Sequence, residues 1–250
     1  MVLATTGVGT AMAAPTPTAG PVVVRGNHWF LRNSFTTGTS DADFFYGDPG
    51  DIHVMGDWDG DGLRTPGVVR GNTWYLRNEN SSGAADVVVQ FGDPGDVPLV
   101  GDWNANGHEG IGVRRGSMWY LKNSIDNSGV ADFAFSYGDP GRADAPAVGD
   151  WHGAEVATPA VARYGVGAVG KTPSPNLWYI RFSNSSGNAD TTVIQNRDHP
   201  VVADWNGTGS DKPGDFEDGR WVWTTNLDTQ SGDVFNYGDA GDDPLTWFDR

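Results

Sequence analysis

At 250 residues the chain has room for one large domain or two small ones. Its 32 acidic against 16 basic residues give a net charge of −16, which sets it against phosphate backbones and so against nucleic acid as a partner. It has no cysteine, which excludes a disulfide framework, a thiolate metal site and a thiol nucleophile.

The first 14 residues, Met1 to Ala14, are small and apolar and end in Ala11-Met12-Ala13. They read as the tail of a secretory signal with an A-x-A cleavage site, although the basic start of such a signal is missing. The run is too short to span a bilayer. Pro15 to Gly20 reads as a flexible mature N-terminus, so residues 1–20 are assigned to a signal remnant and tail, and residues 21–250 to a single domain.

Beyond residue 21 the chain repeats. Trp29, Trp74 and Trp119 are spaced about 45 residues apart, as are Trp178 and Trp223, and Asp57 and Asp102. Each unit holds four short β-like segments, such as Gly67–Arg70, Thr73–Asn78, Asp86–Phe91 and Val97–Trp103. Phe133 to Tyr137 alternates with the two-residue period of a half-buried strand. Units of this length with four strands predict an all-β, five-bladed β-propeller. Pro21–Arg25 has the character of a second strand and Pro244–Phe248 that of a first. The first blade should therefore be closed by pairing the N- and C-terminal strands, which removes an exposed sheet edge.

Two kinds of turn punctuate the units. Gly47-Asp48-Pro49-Gly50-Asp51 recurs at Gly92–Asp96 and, altered, at Gly138–Arg142 and Gly238–Asp242. Pro followed by Gly suits a type II turn. Arg25-Gly26-Asn27, Arg70-Gly71-Asn72 and Arg115-Gly116-Ser117 read as tight hairpins. The fourth unit breaks the pattern twice. It carries the long insertion Tyr164–Asn176 in place of a hairpin turn, and Gln195-Asn196-Arg197-Asp198 in place of the Asp-Pro-Gly-Asp turn.

The stretch with the most chemistry is Gly56-Asp57-Trp58-Asp59-Gly60-Asp61-Gly62. Three carboxylates at alternate positions, followed by a glycine, turn their oxygens to one centre as calcium requires. The frame returns at Asp102, Asn104 and Asn106, and at Asp204, Asn206 and Thr208, with one carboxylate each. A worn copy at Asp150-Trp151-His152 has lost the ligands. The tryptophans form two series, Trp58, Trp103, Trp151, Trp205 and Trp247, and Trp29, Trp74, Trp119, Trp178 and Trp223. Both are expected to pack between blades. Trp221 lies outside both series and is expected to be the exposed ring, a platform for a sugar. In the insertion, Tyr164 and Lys171 could stack on and hydrogen-bond a sugar over the central opening.

These repeats resemble the FG-GAP/VCBS type, the calcium-loop propeller repeats also found in integrin α-subunits. They are most similar to versions in secreted actinobacterial proteins, with units built on Gly-Asp-Trp-Asp-Gly-Asp-Gly, Pro-Gly-Val-x-Arg-Gly and Trp-Tyr-Leu-Arg-Asn. The resemblance spans residues 21–250. It implies a calcium loop between the first and second strands of a blade, with Asp57, Asp59 and Asp61 at the first, third and fifth ligand positions. At the ninth, usually Asp in that family, this chain has Thr65. Such repeats are often non-catalytic appendages of secreted hydrolases.

No G-x-S-x-G elbow, H-E-x-x-H or phosphate-binding glycine loop is present. The expectation is a secreted, calcium-stabilised, non-catalytic module that binds an extracellular glycan or another surface polymer. A structural or protein-interaction repeat domain is the alternative. A propeller glycosidase, requiring two carboxylates about 5–9 Å apart, is the third.

Overall fold

In the computed structural model the described residues are 19–142, 144–163, 176–195, 199–227 and 232–248. They form twenty strands in five four-stranded antiparallel sheets, a five-bladed β-propeller. Among the described residues no helix is long and apolar enough to cross a membrane.

Each blade runs from an inner to an outer strand. Blade 1 is β20 (Asp243–Phe248), β1 (Ala19–Arg25), β2 (His28–Leu31) and β3 (Ala42–Phe45). Blade 2 is β4 (Ile52–Gly56), β5 (Thr65–Arg70), β6 (Thr73–Leu76) and β7 (Val87–Gln90). Blade 3 is β8 (Val97–Gly101), β9 (Gly110–Arg115), β10 (Met118–Lys122) and β11 (Phe133–Ser136). Blade 4 is β12 (Asp144–Gly149), β13 (Thr158–Arg163), β14 (Asn176–Ile180) and β15 (Thr191–Gln195). Blade 5 is β16 (His199–Ala203), β17 (Lys212–Glu217), β18 (Arg220–Thr224) and β19 (Gly232–Asn236).

The expected closure is present. β1 pairs antiparallel with β20 in the register Pro21↔Thr246 and Val23↔Pro244, and extends two residues further than expected, to Ala19↔Phe248. The second strands, buried on both faces, read as short apolar runs, whereas the third strands alternate.

At the centre of each blade the third strand presents one fully buried tryptophan, at Trp29, Trp74, Trp119, Trp178 and Trp221. Four of these indoles donate to a carbonyl at the end of the same blade, at Tyr46, Phe91, Tyr137 and Tyr237. Trp221 is therefore a core residue and not an exposed platform, which corrects the expectation. Its neighbour Trp223 lies one full strand period away, 8% exposed, stacked on Trp205 at 5.9 Å.

The C-terminal tryptophan also differs from expectation. Trp247 pairs with Gly20 as Gly56 pairs with Thr65, so it holds a strand position that is glycine in blades 2, 3 and 4. A Cβ at Gly56 would meet the Trp58 ring at 2.5 Å. Trp247 therefore reaches from the strand the slot that a loop tryptophan fills elsewhere.

Adjacent blades are tied at their outer strands. The backbone N–H of Phe45, Gln90, Ser136 and Asn236 donates to Ser82, Asn127, Ser186 and Thr37 of the next blade, at 2.9–3.0 Å. These bonds cover part of the outer edge of blades 1, 2, 3 and 5, which would otherwise offer itself to another strand.

Candidate metal centre and the acidic turns

Strand direction puts the loops at Asp57, Asp102, Asp150 and Asp204 on one face, between first and second strands. The Asp-Pro-Gly-Asp turns and the Arg-Gly hairpins lie on the other.

In the first loop, Asp57 is buried and its carboxylate gathers the loop backbone. Oδ1 accepts from the N–H groups of Gly60 and Asp61 at 2.7 and 3.1 Å, and Oδ2 accepts from Gly62 at 3.0 Å. Oδ1 of Asp61 accepts from Leu63 N–H at 2.8 Å. The carboxylates of Asp57, Asp59 and Asp61 converge, with one oxygen of each within 4.8 Å of the others. Burial, and then the charges of Asp61 and Asp57, push the Asp59 carboxyl above its ordinary value. Three converging carboxylates in a tight loop are donors suited to a hard cation, and they fit calcium in chemistry.

The other loops qualify this pattern. Asp102 accepts from Asn104, Asn106 and Gly107 N–H, and Asp204 from Thr208 and Gly209 N–H. Asp150, in the loop with His152 and Ala154 where the first loop has Asp59 and Asp61, accepts from His152, Ala154 and Glu155 N–H in the same way. The first aspartate thus recurs because it caps the loop, with or without further acids. Asn106 accepts from His108 N–H, and the Thr208 hydroxyl is bonded to Asn206 Oδ1 at 2.9 Å. Ala105 and Glu155 sit at φ 57° and 62°, where the first loop has the glycines that suit this conformation, Gly60 and Gly62. Thr65 starts β5, 2% exposed, with its hydroxyl donating to the Gly56 carbonyl at 3.3 Å.

One residue of this site was not legible in the sequence. Glu109, from blade 3, accepts the Asp57 N–H at 2.9 Å and pairs with Arg64 of blade 2 through Nε and Nη2. Arg64 also lies 4.5 Å over the Phe248 ring. Burial works against the Arg64 charge, but Glu109 beside it more than offsets this and raises its affinity for the proton. The loop is thus braced from the neighbouring blade.

On the opposite face the turn acids are held by arginines. Arg70 pairs with Asp48 and Asp51, Arg115 with Asp93 and Asp96, and Arg25 with Asp239 and Asp242. Arg163 holds Asp144 through two bonds of 2.8 Å. Hydrogen bonds from Arg70 and Arg115 hold Asp51 and Asp96 below the usual carboxylate range. Burial pushes Asp144 upward, but Arg163 outweighs it and the net shift is downward. Blade 5 departs from this plan: Glu217 stands at the arginine position, and the buried Asp215 stands where other blades have Val23, Val68, Val113 and Val161.

The central opening is a cavity of about 200 Å³. Its rim is set by His53, Pro98, Pro146, Pro200 and Pro244, one from each inner strand. His53 breaks the proline ring and bridges to blade 1, with Nδ1 2.8 Å from Asp243 and Nε2 3.0 Å from the Gly26 carbonyl. Tyr164 and Lys171, with most of the insertion, lie outside the described residues.

Compared with protein-family models, curated proteins and solved structures, the chain matches none.

Proposed function

We propose that this chain is a secreted, non-catalytic binding module, reinforced by calcium at the Asp57–Gly62 loop, whose ligand is an extracellular carbohydrate or another surface polymer. The observation that carries this reading is the disposition of the acids. The carboxylates of the turn face are neutralised by Arg25, Arg70, Arg115 and Arg163, which makes them struts of the scaffold. The central cavity, where a propeller glycosidase would place its acids, is walled largely by prolines and aliphatic residues. What remains is a rigid closed ring with five seams, a frame suited to presenting a binding surface. The position of the Asp57 loop, between the first and second strands of blade 2, supports the FG-GAP/VCBS resemblance and the calcium reading drawn from it.

A screen of immobilised glycans with the whole chain, in calcium and in EGTA, tests the reading. Binding to a defined set of glycans is expected, and its absence in both conditions overturns the carbohydrate reading. The second reading, a protein-interaction repeat domain, draws on the apolar residues exposed on outer strands, Phe45, Val88 and Val234. Glycan-negative protein that self-associates in sedimentation would favour it.

A further inference from the structure

Two Asn-Gly pairs stand on the face that carries the Asp57 loop, Asn106-Gly107 in blade 3 and Asn206-Gly207 in blade 5, and all four residues are exposed. Such a pair is open to a rearrangement of its own chain. The glycine nitrogen lies next to the asparagine side chain, and no Cβ hinders its approach to the amide carbon. The fold decides whether that nitrogen is free to react. Gly107 N–H donates to Oδ2 of Asp102 at 2.8 Å. To attack, it must leave this charge-assisted bond and lose its proton beside a carboxylate, whose charge opposes a second negative charge. Gly207 is held differently. The Asp204 carboxylate takes the N–H groups of Thr208 and Gly209, at 2.9 and 2.6 Å. Gly207 N–H reaches only the Asp204 main-chain carbonyl, at 3.5 Å, which is longer than an ordinary N–H···O bond.

The carbon under attack is prepared as well. The Thr208 hydroxyl donates to Asn206 Oδ1 at 2.9 Å, which polarises the amide and meets the negative charge that gathers on this oxygen during attack. Asn106 Oδ1 accepts the His108 N–H at 2.9 Å. The two amides are therefore polarised alike, and the difference between the pairs lies in the nucleophile.

We propose that Asn206 is a self-modifying site of the folded chain, converting to aspartate and isoaspartate, while Asp102 protects Asn106. Gly207 N gives its proton to a solvent base and forms a bond to Asn206 Cγ. The C–N bond of the side-chain amide breaks, ammonia leaves, and a cyclic imide remains. Water then opens the imide. Attack at Cγ leaves aspartate at position 206, and attack at the Asn206 main-chain carbonyl leaves the isoaspartyl link. The aspartyl product adds a carboxylate two residues from Asp204, at the loop position that Asp59 holds in blade 2.

The test is peptide mapping by mass spectrometry of the whole chain, incubated folded in mildly alkaline buffer and, separately, unfolded in guanidinium chloride. The unfolded chain should convert Asn106 and Asn206 at similar rates, because both precede glycine. In the folded chain Asn206 should convert several-fold faster than Asn106. Gly207→Ala should suppress the conversion at Asn206 and leave Asn106 as it was. Alanine suits that position, since Ala105 holds the equivalent place at φ 57° and a Cβ on Gly207 meets nothing within 4 Å. Thr208→Val, which keeps the backbone N–H and loses the hydroxyl, should slow the conversion at Asn206. Equal rates at the two sites in the folded chain, or a faster Asn106, overturn the proposal. So does a folded chain that keeps Asn206 intact over the time in which the unfolded chain converts it. Should a variant melt abnormally, the comparison of the folded with the unfolded parent decides alone.

Discussion

Replacing Glu109 by alanine removes two things at once, the acceptor of the Asp57 N–H and the counter-charge of Arg64. Both side chains are largely covered, with Arg64 at 20% and Glu109 at 10% exposure. Deleting one partner of a buried ion pair costs about 3–5 kcal/mol. The residual exposure lets water reach the guanidinium and favours the lower end of that range, while the orphaned N–H adds about 1 kcal/mol. A loss of about 3–4 kcal/mol follows, and at about 2–4 °C per kcal/mol for a chain of this size the melting temperature should fall by roughly 10 °C. Thermal unfolding followed by tryptophan fluorescence measures it. Glu109→Gln, which keeps a carbonyl for the N–H, should lose less. Arg64→Met with Glu109→Met should recover much of the loss, because no charge is left stranded. A melting temperature for Glu109→Ala within about 2 °C of the parent refutes the argument that the pair braces the loop.

Three further outcomes are expected. If Asp57, Asp59 and Asp61 hold calcium in the folded state only, a hundredfold excess over Kd adds about 2.7 kcal/mol. Melting in calcium should then exceed melting in EGTA for the parent, but not for Asp59→Ala with Asp61→Ala. Deleting residues 244–250 removes β20 from its pairing with β1 and should abolish cooperative melting; a monomeric truncation with native-like unfolding would sink the role of closure. Asp51, Asp96 and Asp144 lie below their ordinary value of 3.8 when folded. The stability they add is therefore present above that value and lost as pH falls through their lower folded values. Acid unfolding should begin below about pH 4 and flatten in the Asp→Asn variants, read by melting at stepped pH.

The architecture was legible because its signals repeat. Recurring tryptophans, loops and turns disclosed five blades, and the characters of the two terminal segments disclosed the closure. The mistaken exposure of Trp221 came from measuring between units, across a region of altered length. Within a unit the signal was intact: Trp58 to Trp74, Trp103 to Trp119 and Trp205 to Trp221 have one common separation. The pairing of Arg70 with Asp51 was also present as a constant interval, repeated by Arg115 with Asp96 and Arg163 with Asp144. Glu109 was harder to find in this way. An acid returns at its place as Asp211, which accepts the Asp150 N–H at 2.8 Å, but the meaning of Glu109 depends on Arg64 and on a backbone N–H from another blade. In the Asp57 loop the first aspartate is less telling than Asp59 and Asp61, because the loop backbone calls for it in any case, as Asp150 shows.

The closure of blade 1 also sets how the ring responds to load. Ala19 lies opposite Phe248, so the outward-leading ends of β1 and β20 sit side by side at the same end of the strand pair. Tension applied through the two ends would not shear the pair along its length. It would peel the strands apart from Ala19↔Phe248 towards Val24↔Asp243, one rung at a time, and so concentrate the whole force on a single hydrogen-bonded pair. The strand pair that completes the ring is therefore a zipper, and its weak direction is the line through the chain's own ends.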